Sequence, residues 1–189
     1  MPALLEKIVF EKEHLRATAE FDCGAEPWEV EVSDWIRGRG QESVLDYLPL
    51  PDCQIWLYTT PEFGLVGFGS IKATRWRWPT PRDRAITLTM IPMLGIQSRF
   101  RGEPHGEGER RYSEQLLDDL AFEATSHRDR EPLLGLYVHP GNARAISFYR
   151  RSGFSDFPKS WIDPHSGVAY QAMLLDLRQF AETSSPEAC

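Results

Sequence analysis

One stretch, Leu133 to Phe154 (LLGLYVHPGNARAISFYRRSGF), constrains the fold more than any other part of the chain. Leu133 to Val138 is a short apolar run rich in strand formers, bounded by Pro132 and by Pro140-Gly141, and predicts a buried strand. Beyond the break, Ala143, Ile146, Phe148 and Tyr149 recur at helical spacing, and Gly153 stops the helix before Phe154 begins another extended piece. Asn142 stands where an N-cap belongs, because its side chain can accept from an N–H that the first helical turn leaves unpaired. The unit therefore reads strand, tight turn, amphipathic helix, glycine stop, strand.

The flanking sequence is read in the same way. Lys7 to Leu15 predicts a first strand. Pro27 opens a helix whose apolar face carries Trp28, Val32, Trp35 and Ile36, with Gly38 and Gly40 ending it. A second short helix is expected over Glu42 to Leu48. Gln54 to Thr60 and Leu65 to Arg75 read as strands of a hairpin joined through Pro61 to Gly64. Ala85 to Ile96 predicts one long strand, kinked or bulged at Pro92, because proline cannot complete a central ladder. A glycine-containing loop over Arg99 to Gly108 leads to a helix with Tyr112, Leu116, Leu117, Leu120 and Ala124 on one face. Val168 to Leu177 closes the pattern as a last strand, and Ala181 to Cys189 reads as a disordered tail. With no internal repeat and no linker, a single domain over residues 1–180 is expected.

Charge and cysteine usage exclude some classes of function. Lys plus Arg is 21 against 28 Asp plus Glu, a net charge of −7, which favours small cationic partners and argues against nucleic acid. Three isolated cysteines support neither a disulfide framework nor a metal knuckle, so no metal is expected. No signal-peptide pattern opens the chain and no run approaches the ~20 apolar residues of a membrane span, so a cytoplasmic protein is expected.

Val138, Asn142, Ala145-Ile146, Tyr149 and Gly153-Phe154 together resemble the second half of the acetyl-CoA site of the Gcn5-related N-acetyltransferases, V-x-x-x-N-x-x-A-[IL]-x-x-[YF]-x-x-x-G-F. With the order of elements, the resemblance covers about residues 7 to 177. It implies an α+β (α/β three-layer) fold: a mixed, mostly antiparallel central sheet of six to seven strands flanked by helices. It also implies acetyl-CoA as co-substrate and a primary amine, most simply a small molecule, as acceptor. A homodimer is compatible with it.

The first half of the family's site departs from the pattern. Where the family carries [QR]-x-x-G-x-[GA], Arg99-x-x-Gly102-x-Pro104 fits the first half only, and counting back from Leu116-Leu117 puts Arg111 at the small position. Candidate phosphate contacts are therefore Arg101, Gly102, Gly106, Gly108, Arg110 and Arg111, because glycines let backbone N–H groups approach an anion at a helix N-terminus. Glu103, Glu107 and Glu109 oppose that reading by charge. The resemblance further places Leu94, Gly95 and Ile96 at the thioester, Asn142 at the cofactor, and Tyr149 both at the cofactor and as the acid that protonates the leaving thiolate.

No base is assigned. His139 is a candidate, with a place in the turn at Pro140 as the competing reading, and Glu29, Glu31 and Asp34 are candidates facing an acceptor cleft, with a solvated helix face as theirs; His105 reads as a loop residue. Trp28, Trp35 and Trp161 are candidate walls of an acceptor cleft, with core packing the competing reading for the first two. Phe21-Asp-Cys23-Gly24 and Asp34-Trp35-Ile36 are similar to the start of toxin acetyltransferases that act on aminoacyl-tRNA, and Lys72, Arg75, Arg77, Arg82 and Arg84 interleave with Trp76 and Trp78. A toxin of that kind and a non-catalytic acyl-CoA-binding domain are thus the two alternatives.

Overall fold

The structure, a computed structural model, describes residues 5–77, 84–102 and 110–179. The expected tail over 181–189 lies outside them. Eight strands form one sheet: β1 (Glu6–Val9), β2 (Cys53–Thr60), β3 (Gly64–Arg77), β4 (Ala85–Ile91), β5 (Leu94–Ile96), β6 (Leu133–Val138), β7 (Ser155–Ile162) and β8 (Ala169–Asp176). The hydrogen-bonded order is β1-β2-β3-β4-β6-β8-β7, with β5 paired to β3 off this path. Only β4 and β6 run parallel among the registers described. The helices are α1 (Leu15–Thr18), α2 (Pro27–Ile36), α3 (Val44–Tyr47), α4 (Tyr112–Thr125) and α5 (Ala143–Arg151).

Two expectations are corrected. The first strand ends at Val9, because Glu11 and His14 close a capping box, with the Glu11 N–H donating to His14 Nδ1 at 2.9 Å, and turn the chain into helix. The expected strand over Ala85 to Ile96 is two strands, and the mixed, mostly antiparallel sheet has eight in all. Pro92 has no N–H to give, and the fully buried Ser70 fills the gap. Its Oγ accepts from the Met93 N–H at 3.1 Å and donates to the Met93 carbonyl at 3.0 Å. Beyond this break β4 has a second neighbour in β6, whereas β5 has none among the described residues.

The chain divides into two compact units, 1–71 with 93–120, and 72–92 with 121–189. In the first, Phe10, Phe21, Trp35, Ile36, Val44, Ile55, Leu57 and Phe68 form one buried cluster on the face of β3 that bears Phe68. Trp35 stacks on Phe68 with centroids 5.6 Å apart, which settles Trp35 as core rather than cleft wall. The other face of β3 has glycines because α4 lies on it. A Cβ at Gly67 would come within 2.8 Å of Leu116 Cδ2, and one at Gly69 within 2.7 Å of Leu120 Cδ1. Asp119 fixes α4 further, accepting from the Tyr58 hydroxyl at 2.7 Å and pairing with Lys7 at 2.9 Å.

In the second unit Trp76, Ile86, Leu88, Ala172 and Leu174 form a buried cluster. Trp76 is therefore core, not part of an exposed aromatic strip. Arg84 pairs with Glu131 at 3.2 Å, while Trp78 and Arg82 lie outside the described residues. No helix among the described residues is long and apolar enough to cross a membrane.

Candidate active site

The expected site residues fall in both units, and each group has its own geometry. In the first unit they lie on β5, the following turn and the start of α4. Antiparallel pairing alternates which edge of a strand a residue's N–H and C=O face. The Ser70 N–H donates to the Met93 carbonyl at 3.0 Å and the Gln97 N–H to the Val66 carbonyl at 2.9 Å, with Phe68 opposite Gly95 between them. The N–H and C=O groups of Leu94 and Ile96 consequently face away from β3. The Ile96 N–H is directed at the Cys23 thiol. The Leu94 peptide faces the outer edge, along which no described strand runs. Gly95 must be small: its Cβ would fall 2.5 Å from the Phe68 ring and 2.9 Å from Val32.

Cys23 is buried beside this strand. Burial pushes its thiol up to about 11, against the opposing influence of Arg101, the Ser33 hydroxyl and the Ile96 N–H, so at neutral pH it is a thiol and not a nucleophile.

The chain then makes a short 3-10 turn over Ser98–Phe100. Asp22 holds its start, the carbonyl accepting from the Ser98 N–H at 2.7 Å. Arg99 donates to the Phe63 carbonyl at 3.1 Å, and the half-buried Arg101 is ion-paired with Glu29 of α2. Gly102 follows with φ +78° and open space where a side chain would be. Gly106 and Gly108, like Glu103, His105, Glu107 and Glu109, lie outside the described residues. Arg110 folds back onto Asp118. Arg111 immediately precedes α4: its carbonyl accepts from the Glu114 and Gln115 N–H groups, and its own N–H donates to the Glu114 carboxylate at 2.9 Å. The positive end of the α4 dipole therefore lies just after Arg111.

In the second unit β6 and α5 have the expected arrangement. Asn142 is the N-cap of α5, its side chain accepting from the Ala145 N–H at 3.0 Å. Gly153, at φ +91°, ends the turn after the helix, and the Phe154 N–H donates to the Tyr149 carbonyl at 3.0 Å. Tyr149 lies between Phe148 and Phe154, with ring centroids 5.3 and 5.5 Å away. Burial pushes its phenol well above the ordinary range, so it stays protonated at neutral pH.

The candidate bases are mostly engaged. His139 Nδ1 accepts the Gly141 N–H at 3.0 Å and its ring meets Tyr170 edge-on, which makes it part of the turn before α5. Glu29 is held by Arg101, and Asp34 pairs with Arg37 at 3.5 Å. Sequence reading missed the Ser70 plug, the Arg101–Glu29 pair and the setting of Cys23. All three depend on contacts between residues far apart in the chain, and no local pattern signals them. Among the described residues no group of three or more His, Cys, Asp or Glu could hold a metal ion.

No family model matches the chain, and no curated protein sequence matches it significantly. Solved structures do match along nearly its whole length. A bacterial toxin is 18% identical with a TM-score of 0.69, covering 100% of both chains. The AtaT toxin, bound to the C-terminus of the antitoxin AtaR and acetyl-CoA, is 14% identical with a TM-score of 0.64, over 96% of this chain and 99% of that one. Spermidine N-acetyltransferase from Vibrio cholerae, in complex with CoA and spermine, is 11% identical with a TM-score of 0.61, over 94% and 98%. The fold is that of the Gcn5-related N-acetyltransferases. In this acetyltransferase fold, β5 carries the Leu94 peptide on a strand edge and α5 carries Tyr149.

Proposed function

We propose that the protein transfers the acetyl group of acetyl-CoA to a primary amine. The observation that carries this reading is Tyr149: a half-buried phenol, kept protonated by desolvation, on a helix capped by Asn142, within the acetyltransferase fold. Acetyl-CoA brings an activated thioester. The chain then has to bind a pyrophosphate, polarise a carbonyl and protonate a thiolate.

The residues present suit these tasks. The start of α4, the exposed Arg111 and the open backbone at Gly102 suit an anion, at the positive end of a helix dipole. Arg101 is the weakest of the candidates, because Glu29 already neutralises it. The Leu94 N–H on the outer edge of β5 suits the thioester oxygen, on which charge develops as the amine attacks. Tyr149 supplies the proton to the departing thiolate sulfur, and the proton that the acylated nitrogen sheds as the tetrahedral adduct collapses restores the phenol. The ammonium proton goes to solvent, since His139, Glu29 and Asp34 are engaged elsewhere.

A small amine fits the net charge of −7. A second reading, acetylation of aminoacyl-tRNA, is favoured by the likeness to the bacterial toxin and by the Phe21-Asp-Cys23-Gly24 phrase. It meets an electrostatic objection, because affinity for a polyanion rests on neutralising phosphates. Incubation with acetyl-CoA and a panel of primary amines, following thiol release, tests the proposal. Release with small amines supports it, and release only with aminoacyl-tRNA transfers the case to the toxin reading. CoA binding without release from any acceptor leaves a non-catalytic acyl-CoA-binding domain.

A further inference from the structure

The second unit has an aromatic surface apart from the residues assigned above to the cofactor and the leaving thiolate. Alternation along β6, β7 and β8 brings several rings to one face of the sheet. Trp161 stands opposite Tyr170 in the β7–β8 ladder, and Phe157 and Tyr137 both stand opposite the small Ala172. Trp76 fills the space next to Ala172, its ring 5.3 Å from Tyr137 and 5.6 Å from Phe157. The rings continue outward, with Tyr137 to Trp161 at 6.3 Å and Trp161 to Tyr170 at 5.3 Å. The last two pairs are inclined at 44° and 58°, so the rings are tilted against one another and not stacked. Trp161 is 41% exposed, whereas Trp76 at the other end of this row of rings is buried.

This face already holds a cation. Two residues, Pro158 and Lys159, are extra in the β7–β8 register between Phe157 and Ser160. The bulge re-aims the lysine so that Lys159 Nζ lies 4.9 Å over the Trp76 ring. Partial burial holds the Lys159 amine below its ordinary value. Aromatic faces attract cations through their quadrupole, more strongly where water is excluded, and the chain's net charge of −7 draws cations to the protein.

We propose that Tyr137, Trp161 and Tyr170 form a binding site for an organic ammonium ion, continuous with the Trp76 ring that Lys159 covers. That this cation is the acyl acceptor rests on the acetyltransferase reading; the binding site does not. The two ideas fail separately, because binding is measured without acetyl-CoA and with a probe that has no transferable N–H.

The probe is choline, titrated by tryptophan fluorescence and by calorimetry against the neutral alcohol in which carbon replaces its nitrogen. Choline is expected to bind about tenfold more tightly than the neutral isostere, a ratio within reach of cation–π attraction. Trp161→Leu keeps an apolar surface and is expected to abolish that preference. Lys159→Met, which removes the built-in cation and keeps the stem, is expected to raise choline affinity several-fold. Equal affinity for the two probes, an unchanged preference in Trp161→Leu, or weaker choline binding in Lys159→Met would each overturn the proposal. So would loss of a dimer in Trp161→Leu by light scattering, which would make the face an interface between copies of this chain.

Discussion

The contact between Gly69 and Leu120 allows the seating of α4 on the sheet to be tested quantitatively. A Cβ at Gly69 would lie 2.7 Å from Leu120 Cδ1, 3.0 Å from Cδ2 and 3.2 Å from Cγ. Carbon pairs are comfortable at roughly 3.5–4.0 Å, so the side chain would have to retreat by about 1 Å. Leu120 is fully buried, and its neighbour Asp119 is tied to Tyr58 and Lys7, so α4 has little freedom to move. Overpacking of this kind costs about 1–3 kcal/mol, and Gly69→Ala is placed at about 2 kcal/mol. Leu120→Ala alone leaves a cavity and costs about 2–5 kcal/mol. In the double variant the new methyl enters that cavity and meets no obstruction. The combined loss is therefore expected to fall short of the two single losses together by at least about 1 kcal/mol. Urea denaturation of the four proteins measures the coupling. Additivity within about 0.5 kcal/mol, or a neutral Gly69→Ala, would refute the close approach of α4 to β3. Calorimetry with acetyl-CoA gives a second readout. A displaced α4 carries its N-terminal amides with it, so Gly69→Ala is expected to weaken binding.

Three further outcomes are expected. Tyr149→Phe keeps the ring between Phe148 and Phe154 and removes the proton donor, so turnover should fall about 100-fold while acetyl-CoA affinity holds; unchanged turnover would show that the thiolate is protonated by another group. Asn142→Ala removes the acceptor of the Ala145 N–H and should lower stability by about 1 kcal/mol in thermal denaturation, whereas a loss under a few tenths would mean that the cap is not formed. The thiol of Cys23 is raised from 9.0 to about 11 in the folded chain, so its contribution to stability is complete below pH 9 and disappears as pH rises through 11. At pH 10 the loss is about 1.4 kcal/mol, and Cys23→Ala should lack that part of the alkaline slope in denaturation curves; equal slopes would count against a buried thiol.

Where the determining contacts are local, the sequence was legible. Pro27 does open α2, Gly153 does follow α5 in the left-handed region, and Asn142 caps its helix through the Ala145 N–H three residues on. The buried face of α4 (Tyr112, Leu116, Leu117, Leu120 and Ala124) matches the 3.6-residue period. The break at Pro92 was expected as a bulge, yet Ser70 makes it the end of one strand and the start of another, from 23 residues away. The first strand failed sooner, because a helical capping box outweighed its apolar residues.

The candidate site divides along the same line. Asn142 and Tyr149 lie within eight residues on one helix, so their chemistry could be read from spacing. The arginines of the 99–111 segment could not be assigned from sequence, since a guanidinium reads the same whether it faces phosphate or carboxylate. Only the tertiary structure assigns Arg101 to Glu29 and Arg110 to Asp118, leaving Arg111 exposed at the start of α4. The same holds for the aromatic residues: the sequence offered Trp35 and Trp161 alike as walls of a cleft, and Trp76 as part of a basic, aromatic segment. Three-dimensional packing buries two of them and exposes the third, because burial depends on which strand or helix comes to lie alongside, and that partner can be a hundred residues away.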